Sequence, residues 1–142
     1  MKITIQRIDK SLPLPKFQTP GAVAFDIYSR IDYQIPPNEF ALLPTNLIVK
    51  VPAGYFMLIT HRSSTPRKLG LISPGIGVID QDYCGPEDEI MFQVYNLKTE
   101  PVKIEKGQRI GQALLVKITT DVDWDEVEII EKANRGGFGS TG

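Results

Sequence analysis

The sequence predicts an all-β fold, a distorted jelly roll or β-clip barrel, on three observations. Short runs rich in β-branched and aromatic residues recur between Pro and Gly positions. Helical periodicity is nearly absent, and eleven prolines and twelve glycines fall at roughly strand-length spacing.

Strands are expected over residues 2–8, 39–43, 46–51, 55–61, 77–79, 89–97, 101–105 and 108–118. In the first, Ile3 and Ile5 alternate with Lys2, Thr4 and Gln6, as a half-buried strand requires. Residues 101–105 show the same period through Val102 and Ile104. Residues 55–59 and 113–116 are instead continuously apolar, which suits strands covered on both faces or buried at a subunit contact. One very short helix is expected over residues 66–70: Ser63, Ser64 and Thr65 are capping residues, Pro66 suits the first helical position and Gly70 a C-terminal stop. Two short segments of residues 75–83 read as a hairpin, with 86–88 lengthening its turn.

Residues 1–133 are expected to form one β-barrel domain and the glycine-rich residues 134–142 a flexible lid. A chain of 142 residues, 42% apolar, can bury one sizeable core and is too short for two ordinary domains. Sixteen basic and seventeen acidic residues leave a formal charge of −1, which argues against nucleic acid and acidic membranes as partners. A lone Cys84 and a lone His61 exclude an internal disulfide and leave too few soft ligands for zinc. No apolar leader segment or run of eighteen apolar residues is present, so a cytoplasmic location is expected.

Three segments carry chemistry. In His61-Arg62-Ser63-Ser64-Thr65-Pro66-Arg67-Lys68, free backbone N–H groups at a helix start join hydroxyl and guanidinium donors, a combination suited to phosphate. An ordinary helix cap beside solvated basic residues is the plainer reading. In Gly75-Ile76-Gly77-Val78-Ile79-Asp80-Gln81-Asp82-Tyr83, two carboxylates beside an aromatic can bind metal or activate water, and the glycines let a flat ring approach the backbone. An acidic turn between strands has the same composition. The end, Gly136-Gly137-Phe138-Gly139-Ser140-Thr141-Gly142, suits either a plain tail or a lid that stacks on a base and donates to phosphate.

Together these segments resemble the trimeric dUTPase family, whose five motifs are matched in order. They look like Ala24-Phe25-Asp26-Ile27, Arg62-Ser63-Ser64, Gly77-Val78-Ile79-Asp80-Gln81-Asp82-Tyr83, Gly107-Gln108-Arg109-Ile110-Gly111-Gln112 and Gly137-Phe138-Gly139-Ser140-Thr141-Gly142. The resemblance implies a homotrimer with shared active sites that hydrolyses dUTP to dUMP and pyrophosphate. Asp80 would be the base that activates water for attack on the α-phosphorus, and Tyr83 would pack on the deoxyribose and exclude a 2′-hydroxyl. The backbone at Gly77 would read uracil, while Arg62, Ser63, Ser64 and Gln112 would contact the phosphates. Asp26 would hold a water of a Mg2+ ion chelated by the triphosphate. Phe138 would stack on the base, and Ser140 and Thr141 would bind the γ-phosphate from a neighbouring subunit's tail. The family's fifth-motif arginine position is occupied by Ala133, which makes Arg135 the candidate for that contact. The alternative on the same fold is a dCTP deaminase, which would need Glu87 or Glu89 for proton transfer. A non-catalytic nucleotide sensor is the alternative from another class.

Overall fold

The computed structural model describes residues 1–136 of the chain. Within them lie eleven strands and one helix: β1 (Thr4–Arg7), β2 (Phe25–Tyr28), β3 (Tyr33–Ile35), β4 (Phe40–Pro44), β5 (Leu47–Lys50), β6 (Tyr55–Thr60), α1 (Ser64–Leu69), β7 (Leu71–Ile72), β8 (Gly77–Ile79), β9 (Met91–Asn96), β10 (Val102–Ile104) and β11 (Arg109–Lys117). The all-β expectation holds, and every expected strand is present: residues 77–79 unchanged, 39–43 shifted by one residue to Phe40–Pro44, and the others with trimmed ends. Expectation missed β2, β3 and β7, because four, three and two residues are too few to display a period against turn-forming neighbours.

A four-stranded sheet runs β2-β11-β6-β8 and a three-stranded sheet β4-β9-β7, with two-stranded ribbons β1-β5 and β3-β10 completing the body. All seven pairings are antiparallel. The two larger sheets share one core, to which the first contributes Ile27, Met57, Ile59 and Ala113 and the second Ala41, Leu43, Leu71, Phe92 and Val94. Burying each larger side chain contributes roughly 1.5–3 kcal/mol.

Two expectations are corrected. Residues 75–83 do not form a hairpin: β8 pairs with β6, whereas β9 pairs with β4 and β7. The stretch 80–90, including the extra residues 86–88, is therefore a crossover between two sheets rather than a long turn. Pro66 is the third residue of α1, not the first. This costs nothing, since N–H groups of the first turn have no intrahelical partner for proline to forfeit. Gly70 does end the helix, at φ 70°, with its N–H donating to the Pro66 carbonyl.

A bulge in β11 shapes the site. Arg109 pairs with Tyr28 and Gly111 with Ile27, so Ile110 is an extra residue. It drops into the core while Arg109 turns to the face of Gln112. Gly111 is required there, because a Cβ would come within 2.9 Å of Ile27, Phe92 and the Thr60 carbonyl. Gly111→Ala is expected to cost about 1–3 kcal/mol by overpacking, read as a Tm lowered by several degrees in thermal unfolding.

Candidate active site

One end of the four-stranded sheet gathers charge. Asp26 on β2 lies opposite Gln112 on β11, which lies opposite Thr60 on β6, so three polar side chains stand abreast on one face. Asp26 is only 5% exposed, and both its oxygens are engaged. Arg62 Nε approaches Oδ1 at 2.7 Å, and Arg109 Nη1 and Gln18 Nε2 approach Oδ2 at 3.3 and 3.0 Å. Each arginine side chain remains partly open to solvent, 27% exposed for Arg62 and 47% for Arg109. A buried carboxylate thus orients two cations that solvent still reaches, which suits recognition of phosphate oxygens. Gln112 Nε2 donates to the His61 carbonyl at 3.2 Å, which sets the direction of its amide. Sequence reasoning placed Arg109 in a motif without giving it a role; the bulge that aims it becomes visible only with the strand register.

Arg62, Ser63 and Ser64 follow β6 one residue on, after His61, and lead into α1. Ser63 is the capping residue yet makes no side-chain cap bond, and its backbone is already helical at φ −54°, ψ −28°. Thr65 takes over instead: its hydroxyl accepts from the Arg62 N–H at 3.2 Å. The exposed Ser63 hydroxyl is left available to an incoming group. His61 behaves as a satisfied polar residue, its Nδ1 accepting from the Ser73 N–H at 3.3 Å.

Asp80 follows β8 at the opposite edge of the sheet and is exposed. It lines a cavity of about 250 Å³ with Val78, Ile79, Tyr83 and Met91. Tyr83 is 40% exposed, and its hydroxyl donates to the Glu89 carbonyl at 3.2 Å. A neighbouring cavity of about 220 Å³ is lined by Leu42, Ile59, Ser73, Gly75, Gly77 and Met91 among others. Gly77 lacks a side chain for a packing reason, since a Cβ would meet Ile59 Cγ2 at 2.2 Å; the open backbone is at Gly75.

The two groups are far apart within one chain. Ile79 pairs with Met57, three residues along β6 from Thr60, or roughly 10 Å at strand rise. Asp26 lies three strand spacings from β8, roughly another 14 Å. A phosphate held at Arg62 therefore cannot be attacked by a water at the same chain's Asp80.

Arg135 is exposed, and regular structure among the described residues ends at Lys117. Phe138, Ser140 and Thr141 lie outside the described residues. No group of three or more His, Cys, Asp or Glu able to hold a metal occurs among those described. The donor set fits a metal ion brought by a phosphate chain rather than one held directly. Three of the roughly four lone-pair positions of the Asp26 carboxylate are used, leaving one for a metal-bound water. No helix among the described residues is long and apolar enough to cross a membrane.

A small antiparallel β body with a guanidinium cluster at one sheet end and a carboxylate beside an aromatic at the other offers the groups that hydrolysis of a phosphorylated compound requires, cations for the phosphates and a carboxylate for water. A family model described as dUTPase matches residues 10–142. Deoxyuridine 5′-triphosphate nucleotidohydrolase of Dictyoglomus turgidum is 38% identical, covering 100% of this chain and 99% of its own. The enzyme of the same name from Corynebacterium diphtheriae is 40% identical, covering 99% and 92%. Among solved structures, Staphylococcus bacteriophage 80alpha dUTPase with dUPNHPP superposes with a TM-score of 0.87 at 26% identity, over 99% of this chain and 98% of that one. The chain belongs to the dUTPase family, and it is an enzyme that hydrolyses dUTP to dUMP and pyrophosphate.

Proposed function

We propose that hydrolysis takes place in sites shared between copies of this chain, three of them in a homotrimer, with Asp80 from one copy facing the Arg62–Asp26–Arg109 cluster of another. The observation that carries this reading is the separation of the two groups on one sheet. Surface chemistry supports it as well. Val78, Leu58 and Leu114 are cross-strand neighbours, as are Phe56 and Val116, and they form an apolar face between the two polar ends. Val78 is 57% exposed in the isolated chain, and Asp80, two residues on, borders that face. Burying this face against a second copy places Asp80 at the contact. Residues 118–136 form an arm without helix or strand, with Trp124 88% and Ile130 79% exposed, and an apolar groove of about 500 Å³ lies beside β1, lined by Ile3, Ile5, Phe17, Phe25 and Leu115 among others. An arm seated in a neighbour's groove would cover both and carry residues 134–142 toward another copy's site.

In this site the Asp80 carboxylate holds and deprotonates the water that attacks the α-phosphorus. Tyr83 packs against the deoxyribose, and the backbone around Gly77 reads uracil, where unpaired polar groups penalise a wrong base. Arg62 and Arg109, with Ser63, Ser64 and Gln112, hold the phosphates. A Mg2+ ion bound by the phosphate chain would neutralise charge developing there, with Asp26 holding one of its waters. Arg135, Phe138, Ser140 and Thr141 belong to the lid that excludes bulk water when it closes. The deaminase alternative loses its Glu89 candidate, because that carboxylate is already held by Arg30 at 2.8 Å through both oxygens. Cys84 is a free thiol, which suits a reducing cytoplasm.

Mixed trimers test the sharing. Asp80→Asn and Arg62→Ala proteins, each nearly inactive alone, are expected to regain about a quarter of wild-type activity when unfolded together and reassembled at equal ratio, since one site in four then draws both intact residues. Absence of any recovery in verified mixed trimers would place both groups in one chain's site.

A further inference from the structure

The crossover 80–90 belongs to no strand and makes a backbone bond to one only at its far end, from Ile90 to Leu47, so side chains must determine where Tyr83 stands. Most of its hydrogen bonds are local: Cys84 N–H to the Asp82 carbonyl, Gly85 N–H to Asp88 Oδ2, Asp88 N–H to the Gly85 carbonyl and Glu89 N–H to the Glu87 carbonyl. Bonds of this kind give the loop a shape but do not fix it to the body. Its far end is different. Glu89 accepts from Arg30 Nε and Nη2, both at 2.8 Å, and from the Asn46 N–H at 2.8 Å, with its side chain only 11% exposed. Arg30 is itself tied to β4 through its N–H and the Pro44 carbonyl, and Ile90 is clamped by the Leu47 carbonyl and by Thr45. The Glu89 carbonyl is thus a fixed acceptor, and the Tyr83 hydroxyl is the group that reaches it across the loop.

We infer that Arg30 and Glu89 are positioning residues for sugar discrimination: their ion pair holds the carbonyl that straps the Tyr83 ring in place. This rests on the reading of Tyr83 as the residue packed on the deoxyribose. Rejection of one extra hydroxyl by steric closeness requires the wall to be held to a few tenths of an ångström, which a free loop does not provide. A bidentate guanidinium–carboxylate pair supplies that rigidity, because two parallel bonds fix orientation as well as distance.

The test compares kcat/KM for dUTP and UTP in the full-length enzyme. Tyr83→Phe keeps the ring and removes the strap, and is expected to lower the dUTP/UTP preference about tenfold, the scale of one hydrogen bond. Glu89→Ala is expected to produce a similar loss with a raised KM, whereas Glu89→Gln, which retains an acceptor for Arg30 and Asn46, keeps most of the preference. A Glu89→Ala enzyme with a lowered Tm and unchanged preference would show a merely structural ion pair and overturn the inference. Should Glu89→Ala fail to fold, the exposed Tyr83→Phe change decides alone, an unaltered preference sinking the strap. Tyr83→Ala separates the two levels: if it discriminates as wild type does, the sugar-packing role itself is wrong, whereas a loss confined to Tyr83→Ala removes only the strap.

Discussion

Asp80→Asn is expected to lower dUTP turnover by about two to four orders of magnitude, the usual contribution of a positioned base, while dUTP still binds. The amide preserves the shape of the carboxylate and most of its hydrogen bonding but cannot take a proton from water. Because Asp80 follows the last residue of β8 and lies outside the core, and asparagine keeps its shape at the contact between copies, the Tm should move little. Binding by equilibrium titration with a non-hydrolysable analogue, run beside steady-state pyrophosphate release, separates the two effects. A variant with near-native kcat would remove Asp80 from the chemistry.

Asp26→Ala should act in the opposite way, on stability and phosphate binding together. Asp26 is buried and holds Arg62 and Arg109, so its removal leaves two guanidiniums facing each other without a counter-charge. Breaking a fully buried pair costs about 3–5 kcal/mol, and the solvent reaching both arginines reduces this to roughly 2–3 kcal/mol. The Tm should fall by several degrees and KM for dUTP should rise at least tenfold, because the two cations lose their common aim. Adding salt to screen the arginines should recover part of the lost Tm. If calorimetry and KM both stay near wild type, Asp26 does not organise the cluster.

Much of the fold was legible because strand-length runs with Pro and Gly boundaries survive in any context. Ile3 and Ile5, or Val102 and Ile104, have only one face to bury, and the period of two announces it. The continuously apolar stretches in β6 and β11 also carried information: Leu58 and Leu114 complete an outer face that the single chain leaves half-covered. What failed were short elements and pairings. Nothing local in Gly77–Ile79 tells whether it turns back on β9 or joins β6, and that choice depends on which edge is free once the sheets assemble.

The candidate residues were named from the order of five short motifs, and the family comparisons agree with that resemblance. Their arrangement was not legible. That Asp26 is buried between two arginines, that the bulge at Ile110 turns Arg109 toward it, and that Glu89 belongs to Arg30 are all consequences of register and of contacts between residues far apart in the chain. Residue types and local spacing determined the all-β class and the chemistry available to the chain. Tertiary structure decided which charges meet and which stand apart, because electrostatics and hydrogen bonding act over a few ångströms of space, whatever the separation along the sequence.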